Sequence, residues 1–330
     1  MDKNSKVFNA TLSSEQLTEM YKDHKVMFIV FPIIFQHGTN LLGAERGTGK
    51  TRLAISLAFA IVYCLLEYLG YKINKHGDIL FLNFEMAEPE FKLFVEPIEN
   101  HFKSKFQKVH NFHSISFKSH RELTLNDIAE AINNIKPVLV IVDGYKAFAS
   151  MLQREQKIKE IDNSNAMLMY DYFDGWRKDY NTTILLTNHT NKGTKGQKSH
   201  SDLMYGASAV MDYADQTTLM RKTNEPNQRI IVPDKNRFNK EGESSTNLIE
   251  IVGDDENNKI WFELRETDID EADFMYKDIP SQKYSHQDKQ AAIDMHLTQK
   301  MSMRDIQELT GIPKSNIDRW IKKYKNNGII

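Results

Sequence analysis

Residues 41–51 read LLGAERGTGKT, three glycines followed by Lys50 and Thr51, set between an apolar run and a helical one. A strand that turns through glycines into a helix is the context of a phosphate-binding loop. Glycines let backbone N–H groups point inward at an anion, and the dipole of the following helix favours the same charge. The cradle spans Ala44, Glu45, Arg46, Gly47, Thr48, Gly49, Lys50, Thr51 and Arg52. In such a loop the lysine reaches the β- and γ-phosphates of ATP, and the Thr51 hydroxyl ligates Mg²⁺. One position departs from the pattern: five residues before Gly49 stands Ala44 rather than glycine, with Gly43 one residue too early. A methyl group there lies at the start of the turn, away from the phosphates, so a working loop is expected.

With 330 residues, 40% of them hydrophobic, the chain suffices for one large core and a small second domain. A formal net charge of −2 gives no global footprint for nucleic acid, so any such surface must be a local patch. Cys64 is the sole cysteine, which excludes disulfide and cysteine–zinc frameworks and suits a reducing cytoplasm; it reads as a buried, inert thiol. The longest apolar stretch, LAISLAFAIVYCLLEYLGY, is broken by Ser56 and Glu67, and the N-terminus lacks an apolar core. A buried helix from about Lys50 to Tyr71 in a soluble protein with no membrane partner is therefore expected.

Runs such as VLVIVD are apolar throughout, as strands covered on both faces must be, and helical patterns separate them. The pattern predicts an α/β fold with a mainly parallel twisted sheet. After about Tyr213 the runs QTTLMRK, QRIIVPDKNR, TNLIEIVG and KIWFELRE follow one another closely, as an antiparallel extension of that sheet would. The expected organisation is an ATPase domain over 1–265, a turn-rich linker over 266–285 and a helical domain over 286–330.

Two strand ends add carboxylates. KPVLVIVDGY ends its strand in Asp143, where a P-loop NTPase holds Mg²⁺ through water. GDILFLNFEM ends in Glu85, at an edge where a carboxylate could polarise the water that attacks the γ-phosphate.

A strand ending in Glu-Met before an acidic helix start resembles the RecA-like hexameric ATPases, specifically the plasmid replicative helicase RepA group and its DnaB-type relatives. The resemblance covers roughly residues 15–265. It implies a RecA-like P-loop NTPase core of the AAA ATPase class, with Glu85 as catalytic base. TTILLTNHTNKG resembles the strand that carries a polar sensor, which falls on His189 and Asn191. Residues 192–202 resemble the family's mobile segment; Lys192, Lys195 and Lys198 would touch single-stranded DNA over a ring's channel. In VPDKNRFNKEG, Lys235 and Arg237 match the Lys-x-Arg that reaches into the next subunit's nucleotide, which implies a homo-oligomer, a hexamer by resemblance.

The last 45 residues read as three helices spaced as a helix-turn-helix, with TGIPKSNIDRW resembling the turn and recognition helix of resolvase-like and transposase-like DNA-binding domains. Nine basic side chains against five acidic ones leave residues 281–330 at a net charge of +4. Lys314, Ser315, Asn316 and Arg319 occupy the helix start and outer face, where duplex DNA would be met. A module for protein contacts is the alternative. Taken together, the features imply an ATP-hydrolysing, ring-forming DNA motor, a replicative helicase-like protein of a plasmid, phage or other mobile element, working with other replication proteins. A non-unwinding RecA-like ATPase, acting as a recombination mediator or DNA-bound regulator, needs the same ATPase parts and stays open. A small-molecule kinase would have no use for a trans-acting arginine or a helix-turn-helix.

Overall fold

The computed structural model describes residues 12–20, 22, 27–157, 163–190, 208–237, 245–254, 259–274, 286–314, 317–318, 320–321 and 324. The chain divides into two compact units, Met1–Met275 and Tyr276–Ile330. The first opens with α1 (Ser14–Met20), β1 (Phe28–Phe31), β2 (Ile34–Phe35) and β3 (Thr39–Ala44). The glycine-rich turn leads into α2 (Lys50–Val62), then β4 (Glu67–Tyr68) and β5 (Tyr71–Ile73). Strands and helices next alternate: β6 (Ile79–Asn83), α3 (Glu88–Lys103), β7 (Phe112–Ser116), α4 (Leu125–Ile135), β8 (Leu139–Asp143), α5 (Tyr145–Gln156), α6 (Asn163–Tyr180) and β9 (Ile184–His189). The unit closes with α7 (Ser208–Tyr213), β10 (Gln216–Lys222), β11 (Gln228–Asn236), β12 (Asn247–Asp254), β13 (Lys259–Glu266) and α8 (Glu271–Phe274).

Nine strands form one sheet in the order β13-β12-β11-β10-β3-β9-β8-β6-β7. From β10 to β7 every neighbouring pair is parallel; β10 to β13 pair antiparallel. This is the α/β fold expected, a mixed sheet consistent with a RecA-like core. Strands β3, β6 and β8 are buried along their whole length, which is why β6 and β8 read as apolar runs up to their last residue. One core packs α2 and α3 against the sheet through Leu53, Phe59, Phe91 and Phe102; the other packs α4, α5 and α6 through Ile128, Phe148 and Phe173.

The helix expected to reach Tyr71 stops at Val62. Cys64 takes a left-handed conformation at φ 57°, and the chain continues into the β4–β5 hairpin, whose tip residues Leu69 and Gly70 have φ 53° and 79°. Two successive positive φ values give a hairpin tip of the primed kind, so the apolar run LLEYLGYKI forms a hairpin rather than further helix. With β1 and β2 it forms a separate four-stranded sheet, β2-β1-β5-β4. Cys64 is accordingly half-buried beyond a helix end, not sealed inside a helix.

Within 266–285, α8 belongs to the first unit: its Glu271 is buried, 3.8 Å from the guanidinium of Arg221 on β10. In the second unit α9 (His286–Leu297) and α10 (Met303–Thr310) are followed by helical residues from Lys314. The Ser302 hydroxyl caps α10 by accepting the Asp305 N–H, and Gly311 ends it at φ 69°. Ala292, Ile293, Ile306, Ile317, Trp320 and Ile321 form the small core. Lys314 is exposed; Ser315, Asn316 and Arg319 lie outside the described residues. So do Asn191, Lys192, Lys195 and Lys198. No helix among the described residues is long and apolar enough to cross a membrane.

Candidate nucleotide site

Register brings the site together. Ala44 lies opposite His189, Thr187 opposite Asp143, and Asp143 opposite Asn83, so the ends of β3, β9, β8 and β6 share one edge of the sheet. Carboxyl ends of parallel strands, with helices starting above them, are where open α/β sheets bind ligands.

The loop between β3 and α2 has the form the sequence predicts. Gly47 and Gly49 stand at φ 68° and 106°, and Gly49 is the N-cap of α2 with no side chain capping the first turn. The first N–H groups of that helix are therefore left for an anion. A side chain at Gly49 would strain that φ and crowd the Phe262 ring, 3.2 Å from where a Cβ would sit. Ala44 ends the strand fully buried, with its methyl group in the core. The position of the missing glycine thus lies below the cradle. Arg52 turns aside, its guanidinium 4.6 Å over the Phe94 ring.

Lys50 is buried, and its Nζ lies 3.5 Å from His189 Nδ1. On the other side of the imidazole, Nε2 lies 3.6 Å from Glu85 Oε1. His189 thus stands between the loop lysine and the carboxylate. The same imidazole, with help from Lys50, holds Glu85 below the usual carboxylate range against its partial burial, so Glu85 is ionised. Thr51 Oγ1 donates to Asp143 Oδ2 at 2.9 Å, and Thr187 Oγ1 donates to Asp143 Oδ1 at 2.6 Å. Asp143 is fully buried; burial pushes its carboxyl up, and Lys50 opposes that. Burial likewise pushes Lys50 down, opposed by Asp143 and Glu85.

Two residues not singled out by the sequence hold these groups in place. The Asn83 carboxamide oxygen accepts the N–H groups of Glu85 and Met86, and its nitrogen donates to Met86 O and Ser116 Oγ. All four bonds fix the turn that aims Glu85. Thr187 accepts the Gly144 N–H while donating to Asp143. Gly144 in turn leaves room for Glu85, whose Cγ would lie 2.9 Å from a Cβ there. The available signal was a polar residue inside a strand with no exposed face.

Two cavities meet at Lys50, Glu85 and His189. One, of about 510 Å³, is lined by Arg46, Lys118, Lys146 and Tyr145; the other, of about 470 Å³, by Thr51, Met86, Asn227, Ile251 and Phe262. The second cavity has an apolar wall at Met86, Phe94, Ile251, Ile260 and Phe262 that suits a nucleoside, with the phosphates running back over the loop. Thr51 and Asp143 form a hard-oxygen pair of the type Mg²⁺ takes beside phosphates and water. Among the described residues no group of three or more His, Cys, Asp or Glu could hold a metal by itself, which a nucleotide-borne Mg²⁺ does not need.

Lys235 and Arg237 are not at this edge. Gln216 pairs with both Asn236 and Asn40, which puts the end of β11 beside the start of β3, at the opposite edge of the sheet. There Lys235 Nζ donates to the carbonyls of Met211 and Asp212, and Arg237 lies 3.3 Å from Asp215.

A model of the AAA_25 family, an AAA domain, matches residues 25–195, which contain the loop, Glu85, Asp143 and His189. No curated protein matches the chain. Among solved structures, a KaiC-like protein from the hyperthermophilic archaeon Pyrococcus horikoshii OT3 is similar at a TM-score of 0.47 and 14% identity, over 73% of this chain and 99% of that one. The family match spans more than half of the chain and takes in every strand end that forms the site. The chain belongs to the AAA domain family.

Proposed function

We propose that the chain hydrolyses ATP and uses the energy as a ring-forming DNA motor of the replicative helicase type. For hydrolysis, the support is Glu85 held ionised beside His189 and Lys50 at the strand edge that carries the phosphate loop. Lys50 neutralises the phosphate chain. Glu85 takes a proton from the attacking water, and His189 lies where the loss of the terminal phosphate would change its surroundings. Mg²⁺ held by Thr51 and Asp143 would supply charge neutralisation at the β- and γ-oxygens.

For assembly, the carrying observation is the distance of Lys235 and Arg237 from their own loop, at the other edge of the sheet. Arg237 is half exposed there, beside Asp215 and away from its own loop, as an arginine that completes another copy's site would be. The DNA partners rest on Lys192, Lys195 and Lys198 for single strands and on the net-positive tail, with Lys314, Ser315, Asn316 and Arg319, for duplex. The test is strand displacement on a forked duplex with ATP, run beside imaging of the ATP-bound protein. Rings that hydrolyse ATP and release a strand support the motor. Hydrolysis by rings without strand release favours a non-unwinding mediator or regulator, and hydrolysis by a monomer removes the trans arginine.

A further inference from the structure

We infer that Arg229 is a positioning residue of the phosphate loop, an inference that rests on reading residues 44–52 as that loop. Arg229 is the second residue of β11 and is 7% exposed. Because β11 runs back along β10, this end of the strand lies beside the glycine-rich turn. Its Nε donates to Thr48 O at 2.8 Å, and its Nη1 donates to Pro226 O at 2.7 Å and Gln228 O at 2.6 Å. One planar fork therefore ties the loop to the turn that opens β11 through three backbone carbonyls.

The bond to Thr48 fixes more than one atom. In a trans peptide the carbonyl and the following N–H point in opposite directions, so seating Thr48 O on the guanidinium turns the Gly49 N–H to the far side. A phosphate seated on that side of the loop would accept it. The Gly49 φ of 106° allows the turn. The guanidinium, which also lines the second cavity, places a nearly buried positive charge beside the loop, where low dielectric strengthens its pull on an anion. Nothing in GAERGTGKT announces a cation 181 residues beyond Thr48.

The test compares ATP with tripolyphosphate, which offers the loop phosphates and no base, by calorimetry on the full chain. Arg229→Gln should weaken both by the same factor, about tenfold to a hundredfold for a lost charge-assisted hydrogen bond, measured well below the variant's own thermal midpoint. Arg229→Lys, which keeps the charge without the fork, should recover only part. Unchanged affinity in Arg229→Gln, full recovery in Arg229→Lys, or weakening of ATP alone would each overturn the inference; the last would make Arg229 a nucleoside contact. Should neither variant fold, hydrogen exchange of the wild type decides: tripolyphosphate should protect 46–52 and 226–230 together, and protection of 46–52 alone refutes the tie. Wild-type protein that binds neither ligand defeats the phosphate-loop reading itself, a distinct result.

Discussion

The two halves of the large sheet place their polar chemistry differently. In the parallel half, every reactive group stands at one edge, because parallel strands all end on the same side: Lys50 after β3, Glu85 after β6, Asp143 on β8 and His189 on β9. In the antiparallel half, direction alternates, and a single strand presents cations at both edges: Arg229 under the loop and Lys235 with Arg237 at the far side. A parallel half can concentrate a site; an antiparallel one can connect two.

The sharpest way to test that division is at Glu85. Glu85→Gln keeps the shape and removes the base, so turnover should fall by about a thousandfold or more while ATP still binds, at every protein concentration. Steady-state hydrolysis with a parallel binding titration measures it, and near-normal turnover would end the assignment.

Arg237→Ala should cost about a hundredfold in turnover with ATP affinity preserved, the loss expected for one transition-state donor. Here the antiparallel half makes a distinctive demand. Mixing Arg237→Ala with Glu85→Gln protein should restore some activity, because some interfaces then pair an intact base with an intact arginine. Mixtures that stay as inactive as their parts would place Arg237 outside the reaction.

His189→Ala probes how the parallel half holds its base. The imidazole keeps the Glu85 carboxyl below its ordinary range. With a depressed value, the ionised, active form persists as pH falls and is lost only below the usual carboxylate value of about 4.3. Removing the imidazole should therefore move the acid limb of the kcat/KM profile upward, and a limb that stays in place would refute the coupling. The smallest effect belongs to the second unit. Ser302→Ala removes the cap of α10 and should destabilise that unit by about 1 kcal/mol, leaving ATP hydrolysis unaltered. A fall in hydrolysis would show that the two units act on one another.

The parallel half was the more legible in sequence for a physical reason. Strands covered on both faces must be apolar throughout, so VLVIVD and ILFLN stand out, and a carboxylate that ends such a run is conspicuous. The hairpin at 67–73 was not legible, since the run from Leu65 to Ile73 is as apolar as a helix face. Its outcome was decided by two left-handed residues, Leu69 and Gly70. Asn83 and Thr187 were passed over because each looks like an incidental polar residue until its four or two hydrogen bonds are seen. Arg229 was hidden by sequence distance alone. The linker was only partly readable: Glu271 reads as one acid among several, yet it is buried beside Arg221.

Strand β11 has one more consequence. It is nine residues long, about 30 Å from end to end, pairs with β12 over Gln228–Ile231, and slips in register against β10 between Pro233 and Asn236. A slip of that kind is where a strand bends, so the end that carries Lys235 and Arg237 can settle without dragging the end that carries Arg229. In a ring of the kind proposed above, an arginine could be seated against a neighbour while the loop behind it kept its shape.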